Sequence, residues 1–311
     1  MYYNSLMQVV NEDKYAKREI NGRIWKDLNE CKNLAPVFNK LKAEILGYKA
    51  KYKHYWPSKK ERCFILGQYN NTPDIMIYIA VGVMKASRGK PAPIQGVVEY
   101  VARRLEGFSN HMDAVRTASE LIAVGALSDM YDTISARNSE TGSLMIKSRW
   151  TLDASTDEYI ADTMYLPPML CPPNDITTNT NSGYLNPMAE SVVLKAHNHH
   201  NEPLALDAIN IANSVAFELD NFILDNFEET SAKPLDNMEK LRNFQLLKNS
   251  SKRVYNMLKQ QGNLFWFSWR FDKRGRMYSQ GYHVNIQSTE YKKALISLAR
   301  KEHVEIKRST T

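Results

Sequence analysis

The sequence predicts a mostly α chain with a small β component. Three observations carry this. Apolar residues recur at helical spacing through the first 135 residues and again from about residue 204 to 260. A proline-rich stretch separates the two helical parts. Aromatic, strand-prone residues then concentrate between residues 263 and 281. A chain of 311 residues with 43% hydrophobic and 24% charged content can bury a sizeable core in two domains or subdomains. We place the boundaries at 1–165 for a helical domain, 166–203 for a bridge, 204–262 for a helical hairpin and 263–311 for a strand-bearing end.

In the first segment, Ile94, Val97, Val98, Val101 and Leu105 fall on one helical face, with Pro93 in a favourable first-turn position. Asn110 can cap a helix in which Met112, Val115, Leu121 and Ile122 face inward. Asn70-Asn-Thr-Pro-Asp74 reads as a turn into another apolar helix. Ser143 to Lys147 suggest a short strand after the turn-prone Asn138 to Gly142. Tyr48 to Arg62 interleaves aromatics and cations, a pattern suited to single-stranded nucleic acid through base stacking and phosphate pairing. A solvated amphipathic segment explains the same residues.

Four prolines between Leu166 and Pro173 exclude a helix and favour an extended segment. Beyond the bridge, Ala208, Ile211, Ala212, Val215, Leu219, Phe222 and Ile223 make the stripe of one long helix. A second helix runs from about Asn237 to Gln260, with Leu241, Phe244, Met257 and Leu258 apolar. Its polar faces carry Lys240, Arg242, Lys248, Lys252, Arg253 and Lys259 against one acid, Glu239. Such a hairpin can lie along a nucleic-acid backbone, with Lys252 and Arg253 as contacts. Paired strands follow over 263–281, then a helix through Tyr291 to Arg300.

Charge is unevenly distributed. Residues 237–311 hold 16 Lys/Arg against 5 Asp/Glu, while the other 236 residues hold 25 against 29. The basic C-terminal quarter therefore draws polyanions. Cys31, Cys63 and Cys171 are scattered and odd in number, which fits a reducing cytosol rather than a disulfide frame or zinc knuckle. His197-Asn-His-His-Asn-Glu202 sits in one polar loop and reads as loop histidines rather than a metal site. No apolar run approaches the roughly 20 residues of a membrane span.

The densest chemical signal is Asn263-Leu-Phe-Trp-Phe-Ser-Trp-Arg-Phe-Asp-Lys-Arg-Gly-Arg-Met-Tyr-Ser279. One acid sits among three cations and a glycine. Gly275 permits a bend or a close backbone approach, and Arg276 offers a planar fork to phosphate or ribose oxygens. Asp272 suits the orienting of an arginine or hydroxyl. Tyr278 suits stacking on a base or packing on the sheet. A β-turn with a local ion pair accounts for the same residues without a ligand.

This run resembles the D-x-x-G-R motif of the single-subunit, phage and mitochondrial type RNA polymerases, with Asp272, Arg274, Gly275, Arg276 and Tyr278 matching. Further likenesses occur in the family's order. Ala208 to Asp220 is similar to its A-I-N-x-x-Q-x-T-x-W-x-I-N helix, departing at Asn213, Val215, Phe217 and Asp220. Leu166 to Pro173 with Gly183-Tyr184 is similar to its proline-rich strand and Gly-Tyr. Ser119 to Leu127 is similar to the helix end before that strand. Lys293 to Ala299 is similar to its K-x-L-L-x-L-A segment. The likeness covers about residues 110–300 and is sharpest over 263–299.

The resemblance implies an N-terminal domain, a thumb-like hairpin and the first strands of a polymerase palm. It implies contacts to template and RNA from Asp272, Arg274, Gly275, Arg276 and Tyr278. Lys293 or its neighbour Lys292 would join them near the substrate and hybrid path. The family's two catalytic aspartates lie further on, and no Asp occurs in 273–311. Two-metal phosphoryl transfer needs paired carboxylates, so no catalytic residue is expected in this chain. Magnesium would bind on a partner chain, and nucleoside triphosphates would be substrates. Two explanations fit the ending. The chain is a fragment, or it is the smaller subunit of a heterodimeric tailed-phage RNA polymerase split across two genes. The polar tail, without an expression-tag signature, favours the split. The implied partners are a second polymerase subunit bearing fingers and catalytic palm, the DNA template and nascent RNA, with a transcription activator as an open option. The implied location is the cytoplasm of the infected bacterial host. Such a subunit should expose unpaired strand edges around 264–280. A non-catalytic DNA-binding transcription regulator of the same fold should be self-contained.

Overall fold

The computed structural model describes residues 2–50, 57–68, 72–138, 142–186, 191–194, 200–231 and 233–301. It is 56% helical with 10% strand, so the chain is mostly α with a small β component. Two units emerge. One is Lys17–Ala161; the other joins Met1–Ala16 to Asp162–Thr311. The chain thus divides near residue 162, close to the expected 165, but the first 16 residues belong with the C-terminal part.

That second unit begins with α1 (Tyr2–Tyr15). Glu12 on α1 is fully buried. It accepts from the backbone N–H groups of Leu185 at 3.0 Å and Asn186 at 2.6 Å, and from Gln8 Nε2 at 2.7 Å. Gln8 Oε1 accepts from Leu170 N–H at 2.8 Å. Two polar side chains one turn apart therefore bind α1 to the proline-rich bridge.

The Lys17–Ala161 unit contains α2 (Lys17–Glu30), α3 (Ala35–Ala50), α4 (Pro57–Gln68), α5 (Thr72–Ser87), β1 (Ala92–Pro93), α6 (Ile94–Ala102), α7 (His111–Gly125), β2 (Tyr131–Ile134), β3 (Met145–Ser148) and α8 (Ala154–Asp162). α5 is central: Ile75, Ile79, Val81, Val83 and Met84 are wholly buried. α6 buries the expected Val97, Val98 and Val101, with Leu105 buried just beyond its end. On α7, Asn110 Oδ1 accepts from Met112 N–H at 2.9 Å, the expected cap. Leu121 and Ile122 are buried as expected, but Met112 lies in the exposed first turn. Gly125 ends α7 where a Cβ would sit 2.5 Å from the Tyr131 hydroxyl, which donates to the Ile122 carbonyl. The small sheet runs β1-β3-β2, all antiparallel.

The basic and aromatic segment 48–62 turns inward where it is described. Tyr48 Oη donates to Glu120 Oε2 at 2.6 Å, Lys59 Nζ pairs with it at 3.0 Å, and Arg62 Nη2 reaches Oε1 at 2.8 Å. Tyr48 and Arg62 are buried. These three residues satisfy a carboxylate of their own unit instead of a nucleic acid. Residues 51–56 lie outside the described residues, as do parts of the turns around 70 and 140 and most of the histidine run.

The remaining elements are α9 (Leu206–Ser214), β4 (Ala216–Leu219), α10 (Asn221–Asn226), α11 (Met238–Gln260), β5 (Leu264–Trp266), β6 (Trp269–Phe271), β7 (Met277–Ser279), α12 (Glu290–Ala294) and β8 (Ile296–Leu298). The expected long helix over 208–223 is broken. Val215 turns extended, and β4 takes Ala216 to Leu219, with Phe217 and Leu219 buried on alternate positions. β4 pairs with β5 on one side and β8 on the other. The Asn263 amide also bonds both the N–H and the C=O of Leu219. Pairing on both sides outweighs a local helical pattern. The expected helix over 291–300 is likewise cut to α12, since Ile296 to Leu298 supply the third strand. The helical hairpin is thus α9 and α10 split by a strand, followed by one long helix.

The proline-rich bridge is extended as expected, and Met169 pairs antiparallel with Trp266 by bonds of 2.8 and 2.9 Å. The core beneath α11 joins Val254, Tyr255 and Leu258 to Phe217, Phe265, Phe267 and Leu295. α11 is uneven along its length. No described residue from 238 to 250 is buried, whereas Ser251, Val254, Tyr255 and Leu258 are.

Candidate nucleic-acid interface

β6 and β7 form an antiparallel hairpin with register Trp269↔Ser279, Arg270↔Tyr278 and Phe271↔Met277. The turn follows from its residues. Gly275 N–H donates to the Asp272 carbonyl at 3.0 Å, and Asp272 N–H donates to the Arg276 carbonyl at 2.8 Å. Gly275 has φ +77°, the left-handed geometry that glycine adopts at least cost. This is a three-residue hairpin loop with glycine at its left-handed position.

Asp272 is the organising group. Its Oδ1 accepts the N–H groups of Arg274 at 2.8 Å and Arg276 at 3.0 Å. Its Oδ2 lies 2.9 Å from Arg276 Nε, 2.8 Å from Arg276 Nη2 and 3.2 Å from Arg274 Nη2. Desolvation acts against its charge, but the hydrogen bonds from Arg276 prevail and hold its carboxyl below the usual range. Both arginines still face solvent, with side chains 71% exposed at Arg274 and 52% at Arg276. Bonds to Tyr278 and then Asp272 raise the Arg276 pKa, and its guanidinium lies 5.7 Å from the Tyr278 ring. The local ion pair foreseen as the plain alternative is present. It fixes the arginines while leaving donors outward. Asp272 does not fit a magnesium ligand, because both its oxygens already accept from cationic side chains or their N–H groups. Among the described residues no group of His, Cys, Asp and Glu is arranged to hold a metal.

The base of the hairpin is held by residues that no motif marked. Arg270 donates to the Ser191 carbonyl at 2.7 Å and the Val193 carbonyl at 2.9 Å. Burial lowers its pKa. Asn213 Oδ1, where the resembling family has Gln, accepts from Trp269 N–H at 2.9 Å. Gln287 accepts from Ser279 N–H at 2.9 Å and donates to the Met277 carbonyl at 3.0 Å. The expected open edges over 264–280 are therefore largely covered: β5 at Trp266 by Met169, β6 at Phe271 by Val192 to Leu194, and β7 by Gln287. The open edge falls on β8 instead. Asp220 N–H bonds the Leu295 carbonyl, and Ala299 N–H bonds the Ala216 carbonyl. The backbone groups of Ile296 and Leu298 consequently face away from β4. Nothing pairs them among the described residues, and Leu298 is 55% exposed.

The other cations divide. Lys293 and Lys252 are exposed. Arg253 pairs with Asp162 at 2.8 Å while staying half exposed. Lys292 is a correction: it is only 4% exposed, donates to the Tyr282 carbonyl at 2.8 Å and lies 3.7 Å from Glu229. Burial lowers its pKa. It braces the fold and offers no surface to a polyanion. Its Thr289-capped helix puts Lys292 inward and Lys293 outward.

No protein-family model matches the chain, and no curated protein matches it.

Proposed function

We propose that this chain is a subunit of a DNA-directed RNA polymerase, holding the template and RNA–DNA hybrid beside an active site completed by a second chain. The observation that carries the reading is the Asp272–Arg276 hairpin loop. It presents two guanidinium groups, pre-oriented by one carboxylate, on a hairpin anchored through Arg270 and Gln287. Pre-organised forks of this kind recognise phosphate and ribose oxygens with little further ordering cost. Its residues are those of the D-x-x-G-R resemblance. The solvent-exposed first half of α11, with Lys240 and Arg242, supports a thumb-like element tracking the hybrid. The open edge of β8 supports the addition of a strand by a partner. The paired carboxylates, the magnesium they bind and the nucleoside triphosphate site belong, on this reading, to that partner.

A non-catalytic DNA-binding regulator is the second reading. The covered edges of β5, β6 and β7 favour it, because they leave the hairpin self-contained. Arg276→Ala separates the two. In a complex with a partner polypeptide that carries the paired carboxylates, it should cut primed RNA elongation by about tenfold or more while assembly persists. Unchanged elongation removes Arg276 from the polymerase site.

A further inference from the structure

Two tyrosines far apart in sequence stack on the surface of the unit that carries the hairpin loop. The rings of Tyr165 and Tyr282 lie 3.8 Å apart between centroids and within 14° of parallel. Both residues stay in contact with water, at 39% and 41% exposure. The surrounding chain fixes the stack. Lys292 donates to the Tyr282 carbonyl at 2.8 Å, and its ammonium stands 5.1 Å from the Tyr282 ring centroid. His283 meets both rings edge-on, at 5.2 Å from Tyr282 and 5.9 Å from Tyr165. His283 is itself buried and held by Ser251 Oγ at 3.0 Å, while its carbonyl accepts from Tyr255 Oη at 3.3 Å. Because His283 is nearer to Tyr282 than to Tyr165, it flanks the stack and leaves the outer face of Tyr165 uncovered. Among the described residues no other ring and no cation lies over Tyr165. A flat ring of fixed orientation therefore faces water.

The adjoining surface is cationic. His283 also lines a groove of about 140 Å³, together with Lys14, Asp162, Ser250 and Arg253. Asp162 is the one acid in that lining, against the two cations. It stands three residues before Tyr165 and pairs with Arg253 at 2.8 Å, which brings the guanidinium to the neighbourhood of the ring. The Arg253 side chain remains 54% exposed, so donors still face outward. His283 adds no charge near neutral pH, since burial lowers its pKa to about 4. The groove is too small to seat a nucleotide, because small-molecule sites run from about 300 to 1,000 Å³. It forms a polar, positively charged margin beside the open ring.

We propose that Tyr165 is a stacking platform for an unpaired base of a single-stranded nucleic acid, with an adjoining phosphate on Arg253. An open aromatic face beside a cation supplies both things that a single strand offers, the π-face of a base and the charge of its backbone. Arg253 is oriented in advance by Asp162, as the loop arginines are by Asp272. A duplex cannot use the ring, because its bases already stack on one another. An apolar peptide would cover the ring but set nothing against the cations. The inference rests on the proposed function only in taking nucleic acid as the ligand. It concerns a strand outside the Asp272–Arg276 loop, so it can fail while Arg276→Ala still cuts elongation.

The test is fluorescence anisotropy of the full chain with four probes: a labelled single strand of about 12 nucleotides, the same backbone without bases, the matching duplex and a mononucleotide. Tyr165→Ala should weaken the single strand about fivefold or more, and Tyr165→Phe should hold it within about twofold because the ring is kept. The strand without bases should bind more weakly to the unaltered chain and respond to neither substitution. That arm separates stacking from a change of fold, and a melting curve accompanies each variant. The duplex should be indifferent to Tyr165. Single-strand binding unchanged by Tyr165→Ala, an equal loss with the strand that lacks bases or with the duplex, or an equal loss from Tyr165→Phe overturns the inference. So does a mononucleotide that binds as tightly as the strand, or a single strand that does not bind.

Discussion

At the scale of single residues, the hairpin loop depends on one carboxylate. Asp272 takes two backbone and several side-chain bonds, so Asp272→Ala frees both arginines at once. We expect nucleic-acid affinity to fall although net positive charge rises, because the donors lose their orientation. Fluorescence anisotropy with an RNA–DNA hybrid checks this, and tighter binding by the variant would show that charge alone matters. Asp272 has a depressed pKa, so its contribution is present above the unfolded value and is lost as pH falls through the folded one. His283 gives a second pH effect. Burial, then Lys292 and Arg253, lowers its pKa to about 4. Between the ordinary histidine value and about 4, only the unfolded chain takes the proton, so stability falls as pH drops through that window. Melting temperatures from pH 7 to 4 should decline, and His283→Gln should flatten that part of the curve.

At the scale of elements, the alternation of Phe217 and Leu219 was present in the sequence but overlapped a helical stripe. Leu219 belongs to both patterns, and the choice was made by partners, Leu264 to Trp266 and Ile296 to Leu298, that are distant in sequence. The hairpin loop was more legible because its signal is local. An acid, two residues and a glycine set the turn unaided. Arg270, Asn213 and Gln287 were not legible as anchors, since a polar side chain gives no sign of which distant backbone group it meets. Lys292 looked like a surface lysine for the same reason. The two helix faces give a prediction. Lys252→Ala or Lys293→Ala should each lower hybrid affinity modestly and reduce the salt slope by about one, uniformly across sequences. Lys292→Ala should instead lower the melting temperature, because Glu229 is left buried without its cation. Filter binding over a salt series, beside thermal melts, distinguishes these. An unchanged salt slope for Lys293→Ala removes it from the interface.

At the scale of the whole molecule, the described part of the basic quarter of the chain lies within the unit that contains the hairpin loop, α11 and α12. The same unit takes in α1, which carries no motif and whose buried Glu12 only the folded structure reveals. Glu12→Ala leaves the N–H groups of Leu185 and Asn186 without their acceptor, at a cost of about 1–3 kcal/mol. Hydrogen exchange should therefore accelerate in residues 166–186 and 264–279 and not in α5, although α1 is far from both in sequence. Faster exchange in α5 as well would mean that Glu12 supports the whole chain. The central claim is that this polypeptide positions nucleic acid for chemistry supplied by another. Extension of an RNA primer on a DNA template, with magnesium and nucleoside triphosphates, tests it most directly. The chain alone, a partner polypeptide carrying the paired carboxylates alone and the two together are compared. The account predicts extension only from the pair. Extension by this chain alone, or by the other chain with no gain on adding this one, would contradict it.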